Sequence, residues 1–140
     1  MKGITLLLTT VIILSLATDC CSIERMICTE KEATLAESEA DNLHDWDSLY
    51  SSFKRFAHCD DAAISEGYSA SVGRLLAFDW QHLRRLSELT KSDKEFKRFV
   101  LKHIDELIPA DELKIILENA RTHCPAGMEG LCKQIEDAAR

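Results

Sequence analysis

Apolar side chains recur along this 140-residue chain at intervals of three and four, and no segment of useful length alternates with the two-residue period of a strand. That periodicity limits the chain to an all-α fold, because each stripe can be buried only against another helix. Residues 42–58 carry Leu43, Trp46, Leu49, Tyr50, Phe53 and Phe56 on one side, with Asp41 placed as an N-cap. Residues 60–89 continue the pattern through Ile64, Tyr68, Val72, Leu75, Leu76, Leu83 and Leu86, and Gly67 and Gly73 predict a bend. Ser92 and Glu95 have the spacing of a capping box ahead of Phe96, Phe99, Val100, Ile104 and Leu107, a stripe that Pro109 ends. A fourth helix over Ala110–Thr122 and a short one over 128–138 complete a single compact bundle of about four main helices plus a C-terminal helix.

The beginning of the chain has a different character. Lys2 precedes an uncharged apolar stretch over 4–17, short for a membrane span, and Ser15 and Ala17 supply the small residues of a cleavage site. The domain reading is therefore a signal peptide over 1–17, an acidic cysteine-containing extension over 18–41, and the helical domain over 42–140. A lipid anchor at Cys20 fits poorly, because Asp19 stands where a small residue is needed. No stable membrane span is expected once the leader is removed.

Six cysteines (Cys20, Cys21, Cys28, Cys59, Cys124 and Cys132) lie beyond that cleavage site, and an even set in an exported chain predicts disulfide staples. A periplasmic or extracellular location follows. The formal net charge of −7 argues against nucleic acid and anionic lipid as main partners.

Three places could carry chemistry. At "FAHCDD" a histidine, a cysteine and two aspartates adjoin where one helix ends and the next begins. Aspartates suit a helix start, and they oppose the lowered pKa that a reactive cysteine needs. The dipeptide His-Cys occurs twice, so His58, Cys59, His123 and Cys124 are the candidate metal ligands. Neither pair has the second close ligand usual for zinc, and a Cys59–Cys124 disulfide is the favoured alternative, with Cys124–Cys132 as a shorter loop. Asp79 and His103 occupy positions where the pattern asks for apolar residues, which predicts a buried Asp–His pair, with His82 the local competitor for Asp79. A hydrolase would use His103 as base and Asp79 as its orienter, but spacing supplies no nucleophile. A basic stripe of Lys91, Lys94, Arg98 and Lys102 could receive the acidic extension or an acidic partner. His44 and His58 fall on the polar side of their helix, and Trp80 lies off the main stripe of its own.

Two segments, "CDDAAISEGYS" at 59–69 and "FVLKHIDELIPADELKIILENARTHCP" at 99–125, resemble a pattern of small exported bacterial α-helical proteins of unassigned function. The resemblance implies an exported helical domain in which Cys59 and Cys124 are framework residues, and it brings no activity, cofactor or catalytic residue. No cofactor is expected. The combined expectation is a binding protein with a protein partner, possible types being an inhibitor or an immunity factor, with a small-ligand or metal-binding protein as the alternative and a hydrolase behind both.

Overall fold

A computed structural model describes residues 27–140; the leader, Cys20 and Cys21 lie outside the described residues. Seven α-helices follow one another: α1 (Glu30–Ala40), α2 (Trp46–Phe56), α3 (Ala62–Phe78), α4 (Leu83–Ser92), α5 (Lys94–Lys102), α6 (Ala110–Thr122) and α7 (Glu129–Ala138). Single 3-10 turns, Ala57–Cys59 and Trp80–His82, lead out of α2 and into α4. There is no strand among the described residues, and the fold is the disulfide-stapled all-α bundle that the periodicity predicts.

The helix starts explain several shifts from the sequence reading. In α1 Thr29 caps and Glu32 answers it in a complete capping box. The segment read as an acidic extension therefore contains a regular helix, seated on the core by its two fully buried residues, Ala36 and Ala40. Helix α2 is capped by Asp45 rather than Asp41, with Ser48 as the reciprocal partner. Helix α5 is capped by Asp93, whose Oδ1 accepts the Glu95 and Phe96 N–H groups at 3.0 Å each. Ser92 instead closes α4, donating its hydroxyl to the Leu89 carbonyl. A carboxylate out-competes a hydroxyl for the free N–H groups at the positive end of a helix. Helix α5 also ends early, at Lys102. Residues 103–109 form irregular turns that leave Leu107 half exposed, away from the buried stripe predicted for it.

Helix α3 continues unbroken through Gly67 and Gly73, and the break falls at Asp79, whose side chain takes His82 Nδ1 at 2.6 Å and stabilises the 3-10 turn. The glycines serve close approach. A Cβ on Gly67 would lie 2.8 Å from the Cβ of Ala40, and one on Gly73 would lie 2.9 Å from Ile108 Cγ2. Helix α1 and the Ile108 corner thus pack directly on the backbone of α3.

The core is one continuous cluster. Trp46, Tyr68, Phe96, Leu49, Leu76 and Ile135 are among its fully buried side chains, each contributing about 1.5–3 kcal/mol by transfer from water. An aromatic run joins α2, α3 and α5: Phe53 and Tyr68 stand 5.0 and 4.9 Å from Phe99, and Phe99 meets the ring of His103 edge-on at 4.5 Å. That run ends on the polar group described next.

Candidate functional site

His103 is fully buried, yet the residue it meets is not Asp79. Asp60 precedes α3, Ser69 lies in its middle, and His103 and Asp105 follow α5; packing of α5 across α3 brings them together. The Ser69 hydroxyl lies 3.0 Å from His103 Nδ1 and donates to Asp105 Oδ2 at 3.0 Å. His103 Nε2 meets Asp60 Oδ2 at 3.1 Å, and Lys102 Nζ donates to the same oxygen at 2.6 Å. Burial pushes the Asp60 carboxyl up, but the hydrogen bonds from His103 and Lys102 outweigh it and hold the group below its ordinary value. The second oxygen of Asp60 is enclosed without a partner.

Hydroxyl, imidazole and carboxylate therefore stand in the order of a hydrolytic triad, and Ser69 is the hydroxyl that sequence spacing does not single out. The chemistry does not follow from the order. Ser69 and His103 are both 0% exposed, leaving a substrate no approach. The Ser69 hydroxyl also donates to Asp105 Oδ2, so its proton is not committed to the imidazole. The group works as a buried polar joint that sets the register of α5 on α3.

Asp79 pairs with His82, its local competitor, and the predicted Asp79–His103 pair is absent. The reason is the early break of α3: it turns Asp79 out to the surface, where it lines a shallow cleft with His44, Trp46 and Arg85. His44 is exposed, as predicted, although it lies in the turn before α2 and not on the helix itself. His58 is not; it is half-buried and lies 3.5 Å from Glu32 of α1. Trp80 packs against the core, and its indole N–H donates to the His123 carbonyl at 2.9 Å.

The cysteines also re-pair. Cys59 bonds Cys28, 31 positions earlier, and Cys124 bonds Cys132, 8 positions later, so the predicted Cys59–Cys124 bridge does not form. Docking of α1 on α3 carries Cys28 to Cys59, while Cys124 turns back on α7. Glu32, His58 and Cys59 come within 4.8 Å of one another, the spacing of a metal site, but the Cys59 sulfur is spent on Cys28 and offers no thiolate. Cys124 is spent likewise, and His123 Nδ1 bonds the Thr122 hydroxyl.

The basic stripe is divided rather than covered. Lys102 pairs with Asp60 and Arg98 with Glu95, whereas the acidic residues of α1 turn to α2 and the turn after it: Glu39 to Arg55 at 2.5 Å and Glu32 to His58.

The fold defines a small all-α protein with two disulfides among its described residues. No family model, curated protein or solved structure matches the chain, so the likeness seen at 59–69 and 99–125 identifies no family.

Proposed function

We propose that this is an exported binding protein, working in an oxidising compartment such as the periplasm or the extracellular space and acting through its surface on a protein partner, in the manner of an inhibitor or immunity factor. The observation that carries the reading is the exposure of Phe78 and Leu107, 64% and 50%, on a frame held by two disulfides. Large apolar side chains that remain in water on a stapled bundle are ready for contact, and they cost little conformational entropy to bury. Two disulfides and the apolar leader support export. No helix among the described residues is long and apolar enough to cross a membrane.

Two measurements test it. Intact mass of protein recovered from an oxidising compartment, alkylated before and after reduction, should give a start near Thr18 and no free thiol at Cys28, Cys59, Cys124 or Cys132; a retained leader or free thiols there would refute export. A Phe78→Ser, Leu107→Ser double variant should keep its helical circular dichroism and lose the partner that co-purifies with the unaltered protein. Retention of that partner removes the proposed surface.

A further inference from the structure

Between the end of α4, the start of α5 and the N-terminus of α7 lies a cleft of about 240 Å³ lined by Ser87, Lys91, Lys94, Lys97, Gly127 and Gly130, among others. No Asp or Glu lines it, in a chain whose formal net charge is −7. The lysine ion pairs of the described residues involve Lys54, Lys102 and Lys133, so the three lysines of the cleft are unpaired.

The N-terminus of α7 adds backbone donors and the positive end of a ten-residue helix. Leu131 and Cys132 are the first residues whose N–H groups reach a carbonyl, that of Met128. The Glu129 carboxylate accepts the Gly127 N–H at 2.9 Å. The Gly130 N–H has no acceptor among the described residues. A Cβ built on Gly127 or Gly130 would meet nothing within 4 Å, so the space before this backbone is open. The Cys124–Cys132 disulfide closes the loop that carries both glycines.

Ser87 separates this arrangement from an ordinary solvated lysine face. The residue is 4% exposed, and its hydroxyl makes no hydrogen bond among the described residues, although Thr90 beside it donates to the Leu86 carbonyl. Nor is that hydroxyl among the enclosed polar atoms without partners, which are Trp46 Nε1, Asp60 Oδ1 and Glu112 Oε2. A serine so buried, lining the cleft with an unpartnered and unenclosed hydroxyl, presents that hydroxyl to the cleft.

Three lysines, the Ser87 hydroxyl and the Gly130 N–H therefore line one cleft, beside which the Glu129 carboxylate is held on the Gly127 N–H. We propose that this cleft binds a phosphate group, free or as a small phosphate monoester. The donors match the oxygens of a dianion, and charge-assisted hydrogen bonds supply the affinity. The site shares no residue with Phe78 and Leu107 and stands or falls separately from the partner reading.

The test is a ¹⁵N NMR titration of the intact, disulfide-bonded protein with sodium phosphate and with O-phosphoserine, against sodium chloride at matched ionic strength. The Gly130 amide should shift saturably with either phosphate and not with chloride. Lys94→Ala with Lys97→Ala should weaken binding about tenfold or more. Gly130→Asp should abolish it while the helix persists, since aspartate is favoured in a first helical turn; Gly130→Ala, which fills space without charge, should bind more tightly than Gly130→Asp. Tighter binding of O-phosphoserine upholds the site for monoesters, and equal binding upholds it for free phosphate. Linear shifts that chloride reproduces, or saturation retained in Gly130→Asp, would overturn the proposal.

Discussion

Removing the imidazole of His103 would leave Asp60 with only Lys102 as partner, inside a pocket that has already enclosed one of its oxygens. His103→Ala is accordingly expected to cost about 3 kcal/mol in urea unfolding, through a lost buried contact and an uncompensated carboxylate. Unchanged stability would mean that the joint is solvated and the register of α5 is held elsewhere. Glu112 provides the pH-dependent counterpart. Burial, with Asp111 adding to it, pushes its carboxyl above the ordinary range, and Oε2 is enclosed without a partner. A carboxyl raised in the folded state binds its proton more tightly there than in the unfolded chain. Its stabilising contribution is therefore complete below the unfolded pKa and is lost as pH rises through the folded one. Glu112→Gln should raise the melting temperature at pH 7 and leave it unchanged near pH 4; an equal gain at both would assign the effect to packing instead.

Among the elements, α1 makes a close backbone crossing. It lies on α3 because Gly67 has no side chain at the crossing, and the nearest obstacle to one, Ala40 Cβ, has no rotamer by which to move away. Gly67→Ala is predicted to destabilise the protein by about 1–3 kcal/mol and to increase amide hydrogen exchange in α1 before α5 or α6. Exchange rising evenly over all helices would show that α1 is not a separate unit. The same crossing explains two other bonds, the Ser71 hydroxyl donating to the Ala40 carbonyl at 2.6 Å and Arg74 donating to the Asp41 carbonyl. The helix periods of α2 through α7 were legible because each stripe lies within a few consecutive turns. Helix α1 was legible only as a partly helical extension, since alanine is its main buried residue and a small side chain leaves little hydrophobic signal.

For the whole molecule, the disulfides divide the work unequally. Cys28–Cys59 ties α1 to the entry of α3, and in the chain-entropy model closing that loop contributes about 4 kcal/mol; Cys124–Cys132 closes a short loop and contributes about 2.5 kcal/mol. Replacing Cys28 and Cys59 together by serine should lower the unfolding free energy more than replacing Cys124 and Cys132. The reverse order, read from the same denaturation curves, would show that strain or residual structure outweighs loop entropy. Both bridges bond cysteines that sequence reasoning nominated, but Cys59 took a partner from the segment read as an extension.

The sequence alone determined what depends on residues a few positions apart: the all-α class, the span of α6, the presence of a disulfide framework, and His103 as a polar residue set among apolar ones. Tertiary structure decided what depends on distances between remote segments. Which cysteine reaches Cys59, and that His103 meets an aspartate 43 positions away rather than Asp79, followed only once α1 and α5 had packed on α3. The physical reason is that a helix stripe is written every three or four residues, whereas a contact partner is chosen by how whole helices cross, which no local pattern encodes.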